Sequence, residues 1–168
     1  IEVNEIDKNI FFSNLVAGFK FHCYWHNLSL KKITNFLKSF KNTKPIYVIL
    51  DYKNKNEIVE FLKINKGTKI ILGYCGFPLY NCIFDIIKEY ENCFVDLASN
   101  HIDKSIILKS INSLGSERVI FGSDYPYNFV KNNEFDYDKV LKKFEFNILN
   151  LDQLNSIKFK NLKKLLNE

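Results

Sequence analysis

The sequence contains no methionine, one tryptophan and, among 24 basic residues, one arginine, Arg118. A chain that starts at Ile1 without methionine is expected to be processed or to be a piece of a longer protein. With so much Ile, Asn, Lys and Phe, the scarcity of arginine reads as codon bias toward A and T rather than as selection for a partner. No stretch approaches the roughly 18 to 20 apolar residues of a membrane span. No basic segment followed by an apolar one marks a signal peptide. A membrane role is therefore not expected. No C-x-x-C occurs among Cys23, Cys75, Cys82 and Cys93, so neither a zinc ribbon nor a dithiol redox motif is indicated. The expectation is buried free thiols in a reducing compartment, hence a cytoplasmic protein. The glycine patterns of dinucleotide and nucleotide phosphate sites are absent, as is G-x-S-x-G. The pair Gly73 and Gly76 alone is a weak signal.

Charge adds a further exclusion. The net charge is +5, but the lysines are spread along the chain beside Asn, Asp or Glu. A nucleic-acid surface concentrates its basic residues on one face, so no nucleic-acid partner is expected.

Hydrophobic residues make up 46% of the chain and charged residues 26%, the balance of a globular domain with a real core. Short apolar runs alternate with segments of helical spacing. The strand-like runs are 15–22, 46–50, 69–74, 93–98 and 118–122. The helix-like ones are 29–40, 56–64, 80–90, 104–114, 136–146 and 151–167. Ser29 is a plausible N-cap, and Gly67 and Gly115 are stop signals. The strands are apolar throughout and recur about every 25 to 30 residues, the pattern of parallel βαβ units covered on both faces. No linker or repeat divides the chain, so 1–168 reads as a single α/β domain. Two architectures fit: a doubly wound open sheet, or part of a (β/α)8 barrel. Phe11, Phe12, Phe36, Phe40, Phe61, Phe84 and Phe144 fall at core-like spacing.

In either architecture, function belongs at the C-terminal ends of the strands. Those ends offer Lys20 and His22, Asp51, Tyr74 and Cys75, Asp96 and Ser99, and Asp124.

The run from Gly115 to Pro126 (GSERVIFGSDYP) carries a specific pattern: Gly, a basic residue, an apolar strand, then Gly-Ser-Asp-x-Pro. It resembles the last-strand motif of the amidohydrolase superfamily, in its amidohydrolase-2 branch. Upstream segments follow in that family's order. Ala17 to His22 resembles the fourth strand, Pro45 to Ile49 the fifth, Ile70 to Gly76 the sixth and Glu91 to Ser99 the seventh. Asn161 to Leu166 resembles the closing helix. The resemblance spans nearly the whole chain and implies a partial TIM-barrel-like fold: about five parallel strands alternating with helices, two C-terminal helices, and no N-terminal barrel strands. Five strands cannot close an eight-stranded barrel, so an open edge and an exposed apolar interior are expected. A homo-oligomer, a complementing N-terminal segment or a rearranged sheet would cover them.

The resemblance also implies a function. It points to a hydrolase acting on an amide, lactone or similar C–N or C–O bond, or a related decarboxylase, on a small-molecule substrate. Asp124 would be the catalytic acid/base and a metal ligand, with zinc or manganese as the divalent ion. Lys20, His22, Tyr74 and Trp25 would hold substrate. The first-strand His-x-His lies outside the chain. The fifth-strand histidine falls at Ile49 or Leu50 and the sixth-strand one at Tyr74. A catalytic zinc takes about three protein ligands, and His22, His26 and Asp51 are the donors left to join Asp124. A silent scaffold that binds a small molecule or a protein partner is the alternative.

Overall fold

The computed structural model describes residues 13–39, 44–51, 54–80, 82–99, 101–125, 127, 130, 131, 134, 135, 142 and 149–166. Five short strands form one sheet: β1 (Phe19–His22), β2 (Ile46–Ile49), β3 (Ile70–Leu72), β4 (Cys93–Asp96) and β5 (Val119–Ile120). Their order in space is their order in sequence, and every neighbouring pair is parallel. Four helices make the crossovers: α1 (Leu30–Ser39), α2 (Lys55–Ile64), α3 (Ile83–Ile87) and α4 (Lys104–Leu114).

The side on which these helices pack decides between the two expected architectures. Ile33, Phe36 and Leu37 of α1, Phe61 and Leu62 of α2, Phe84 of α3 and Ile107 and Ile111 of α4 share one cluster with Val48, Leu72, Val95 and Val119 of the strands. All four crossovers thus lie on one face of the sheet. A doubly wound sheet reverses its strand order and places helices on both faces. Unbroken sequential order with helices on one side is the winding of a barrel wall. Burying each large side chain, such as Phe61 or Phe84 at 1% exposure, contributes about 2 kcal/mol.

Local signals fix the helix ends. Ser29 Oγ accepts from Lys32 N at 3.2 Å, as its N-cap position predicts. Asp103 Oδ1 accepts from Ile106 N at 3.0 Å at the start of α4, and Gly115 ends it at φ 79°. The lone arginine has a structural task. Arg118 donates from Nε to Leu114 O at 3.0 Å, and from Nη1 to Ile87 O at 3.2 Å and Tyr90 O at 3.1 Å. It thereby closes the carbonyl ends of α3 and α4, which helices leave unpaired.

Several expected boundaries shift. The first strand starts at Phe19 rather than Leu15, which is 96% exposed. A Cβ on Gly18 would stand 2.6 Å from Pro45 O, the carbonyl that pairs with Phe19 N where β1 begins. The third strand stops at Leu72, because Tyr74 and Cys75 turn left-handed. The helix expected over 80–90 is reduced to Ile83–Ile87. A two-residue antiparallel pairing, β6 (Val130–Lys131) with β7 (Glu134–Phe135), was not anticipated. The helix expected over 136–146, and Phe11, Phe12, Phe40, Pro126 and Phe144, lie outside the described residues. Phe36, Phe61 and Phe84 are core as expected. Cys23, Cys75 and Cys93 are buried free thiols and Cys82 is half-buried. Burial pushes the Cys23 thiol up to about 11 and the Cys93 thiol up to about 12.

The expected exposed interior face is covered in part. After α5 (Leu151–Asn155), a π-helical turn (Ser156–Lys160) leads into α6 (Asn161–Leu166). Leu165, 1% exposed, packs on Ile71 and Ile120, with Tyr47 and Phe94 alongside. These residues alternate with those facing α1 to α4, so α6 lies against the inner face. Asn161 anchors it, donating through Nδ2 to Ser116 O and Val119 O, both at 2.7 Å. The backbone at the end of β5 is also met by this segment: Phe121 N donates to Ile157 O at 2.9 Å. No helix among the described residues is long and apolar enough to cross a membrane.

Candidate active site

The parallel register puts the inward-facing side chains of neighbouring strands level with one another. Lys20 stands beside Tyr47, Tyr47 beside Ile71 and Ile71 beside Phe94. Along this inner face, from the starts of β1 and β2 to the ends of β4 and β5, runs a cavity of about 520 Å³, within the range of small-molecule sites. Lys20, Tyr47, Asp96, Ser123, Asp124 and Tyr125 supply its polar lining. Phe19, Ile71, Ala98, Ile120 and Leu162 are among its apolar walls.

One side chain or loop from each of β2 to β5 joins a hydrogen-bonded web at the edge of this cavity. Asp96, at the end of β4, is 4% exposed. Its Oδ2 accepts from the Tyr47 hydroxyl, and its Oδ1 accepts from Tyr74 N at 2.7 Å and Ala98 N at 3.2 Å. The Tyr74 hydroxyl then donates to Asp124 Oδ1 at 2.9 Å. Gly73 makes the first of these contacts feasible. A Cβ there would meet Tyr47 Oη at 2.7 Å and Ile49 Cγ1 at 2.9 Å. Without it, the Tyr47 phenol crosses over β3 to reach β4.

The backbone is unusual at the same places. Tyr74 (φ 56°), Cys75 (φ 53°) and Asp124 (φ 52°) are left-handed. Such residues cost roughly 1 to 3 kcal/mol each and cluster at functional sites. At Tyr74 the strain is held by the Asp96 carboxylate on its N–H.

Electrostatics follow from burial. Burial raises the Asp96 carboxyl above the ordinary carboxylate range, outweighing the hydrogen bonds from Tyr47, Tyr74 N and Ala98 N that act the other way. The Tyr47 and Tyr74 hydroxyls are both raised, first by burial and then by the carboxylates of Asp96 and Asp124. The Lys20 ammonium lies 5.1 Å from the centre of the Tyr47 ring, a favourable cation–π placement.

The structure therefore brings Lys20, Tyr74 and Asp124 to one site and adds Tyr47 and Asp96 to them. Asp96 was legible as a strand-end carboxylate. Tyr47 was not, because only the register and the gap at Gly73 show its reach. His22 and Trp25 go elsewhere. Their rings stack at 4.3 Å and 3° in the turn after β1, and neither lines the cavity. Trp25 is 67% exposed. His22 Nδ1 accepts from Trp25 N at 3.3 Å, and His26 Nδ1 accepts from His22 N at 3.2 Å. Burial, helped by His26 and Lys20, lowers the His22 imidazole below its ordinary value.

The donors among the described residues do not by themselves make up a site for a divalent ion. Among the described residues no three His, Cys, Asp or Glu side chains gather as a metal cage. Both Asp96 oxygens are engaged by donors, and Ile49, which faces the site, carries no ligand atom. Tyr74 offers Asp124 a phenol hydrogen bond in place of imidazole coordination.

No family model matches the chain, and no curated protein matches it in sequence. Solved structures do match. An uncharacterized TIM-barrel protein from Bordetella bronchiseptica superposes with TM-score 0.64 at 15% identity, covering 82% of this chain and 50% of that one. A Burkholderia multivorans amidohydrolase with bound zinc gives TM-score 0.63 at 10% identity, covering 92% of this chain and 66% of that one. A dihydroxybenzoic acid decarboxylase from a Polaromonas species, with bound manganese and the inhibitor 2-nitroresorcinol, gives 0.56 at 15% identity, covering 81% and 54%. The chain thus spans about half to two thirds of the length of these structures. It shares with them a partial TIM-barrel-like α/β fold, a parallel five-stranded sheet with its crossover helices.

Proposed function

We propose that this chain carries the strand-end site of a hydrolase or related decarboxylase, with Asp124 as its acid/base and a small organic molecule as substrate. The observation that supports this most is the convergence at one cavity of Asp124 and Lys20 with the phenol-linked Asp96. In hydrolysis, Asp124 takes the proton of an attacking water as its oxygen bonds the substrate carbonyl carbon. The C–O or C–N bond then breaks, and Asp124 returns that proton to the leaving atom. In decarboxylation, Asp124 enters protonated from solvent, the bond to the substrate carboxylate carbon breaks, carbon dioxide leaves, and Asp124 gives its proton to the carbon left behind, to be reprotonated by water in the next cycle. Lys20 holds an anionic group of the substrate against the apolar wall. The test compares purified parent and Asp124→Asn on lactones, amides and hydroxybenzoates, with and without added zinc or manganese. A loss of about 10²- to 10⁴-fold is expected on any substrate the parent turns over, and undiminished turnover would overturn the role.

Ile49 and the Tyr74–Asp124 hydrogen bond favour a second reading, a scaffold that binds a small molecule without turning it over. Ligand binding by calorimetry, with no turnover by the parent under any metal condition, would select it.

A further inference from the structure

Asp96 has no role in the chemistry just described, yet it is the most buried carboxylate at the site. Its surroundings do not resemble those of a reacting group. Tyr47, Tyr74 N and Ala98 N occupy its two oxygens. One of these contacts holds a residue of the cavity wall, and another holds a residue bonded to that wall. Tyr47 lines the wall beneath the Lys20 ammonium. Tyr74 is held in a left-handed conformation that a bulky side chain adopts only when its surroundings demand it. In that conformation its hydroxyl reaches Asp124, which is itself left-handed on the loop after β5.

The chain of contacts therefore runs from the deepest group outward. The carboxylate on β4 fixes the backbone of the turn after β3. That turn aims a phenol at the loop after β5, and the phenol holds a carboxylate that lines the cavity. We propose that Asp96 is the positioning residue of this site, acting through Tyr74 on Asp124 and through Tyr47 on the wall around Lys20. The proposal deepens the functional reading above, because it concerns the same site, but its test needs no turnover.

The experiment is carboxyl 13C NMR of the full chain labelled at aspartate, with the Asp124 signal assigned by Asp124→Asn. Tyr74→Phe removes only the hydroxyl and should shift the Asp124 signal. Asp96→Asn leaves Tyr74 intact, yet should shift the same signal in the same direction. The double variant should add little to either single change. Should Asp96→Asn fail to fold, Asp96→Glu keeps a carboxylate but displaces the oxygen that holds Tyr74 N. A shift at Asp124 would then support the connection, and an unmoved signal would overturn it. An Asp124 signal moved by Tyr74→Phe but untouched by Asp96→Asn would also overturn it, as would full additivity of the two changes. If the NMR result holds while Asp124→Asn leaves turnover intact, the positioning stands and the acid/base assignment fails.

Discussion

Gly73→Ala is a small change with a calculable consequence. The new Cβ would stand 2.7 Å from Tyr47 Oη, 2.8 Å from Tyr47 Cε1 and 2.9 Å from Ile49 Cγ1. Carbon contacts prefer about 3.5 to 4.0 Å, so the Tyr47 ring has to move and its hydroxyl leaves Asp96. Overpacking a filled site costs about 1 to 3 kcal/mol. Taking a donor from a buried carboxylate costs roughly another 1 to 3 kcal/mol. The overlap of the two effects gives an expected loss of about 2 to 5 kcal/mol. For a chain of this length that is a Tm decrease of about 5 to 15 °C. Urea and thermal unfolding followed by circular dichroism measure it. Repeating the substitution in a Tyr47→Phe background removes the hydroxyl, so the cost there should fall by at least about 1 kcal/mol. If Gly73→Ala changes stability by less than about 0.5 kcal/mol, or costs the same in both backgrounds, the crossing of Tyr47 over Gly73 is refuted.

Three further outcomes are expected. Arg118→Lys cannot reproduce the planar fork that reaches the carbonyls of Ile87, Tyr90 and Leu114, and should cost about 1 to 3 kcal/mol in urea unfolding; a neutral result would remove its role in closing the helix ends. The Asp96 carboxyl is raised in the folded chain, so its contribution to stability is full below the ordinary carboxylate range and is lost as pH rises through the raised value. That downward slope of stability against pH should be shallower in Asp96→Asn, and an unchanged slope would contradict the assignment. His22 is lowered, so the stability it contributes is present above the ordinary imidazole value and is lost as pH falls through the lowered one. Because Trp25 is the only tryptophan and stacks on that ring, its fluorescence should titrate with a midpoint below about 6.5, the ordinary imidazole value, and His22→Gln should abolish the transition.

The fold was legible because its signals are local and repeated. Apolar runs, helical spacing, Ser29 and Gly115 each identify an element from its own residues. Spacing alone left a barrel wall and a doubly wound sheet both open, because the choice depends on which face receives α1 to α4; the Gly115 to Pro126 resemblance implied the barrel, and the packing of all four helices on one face bears it out. The fate of the inner face was hidden for the same reason. Leu165 and Asn161 carry no mark in sequence that they meet Ile71, Ile120 and the start of β5, dozens of residues earlier. At the site, Lys20, Tyr74, Asp96 and Asp124 could be found by the rule that function gathers at strand ends. Tyr47, level with Lys20 in the sheet, could not, because it reaches its partner only across the glycine that follows the next strand. His22 and Trp25 satisfied the strand-end rule but pair with each other, since four residues after a strand suffice to close a turn of their own.

The most direct test of the central claim is where a ligand binds. A 15N-NMR titration of the chain with a small carboxylated aromatic or lactone should move the amides of Lys20, Tyr47, Asp96 and the stretch 122–125 together, with a single affinity. A second cavity of similar size lies between α1 and α2, lined by Lys31, Lys38, Glu57 and Glu60. Saturable shifts confined to that groove, with the strand-end amides unmoved, would contradict the placement of the site.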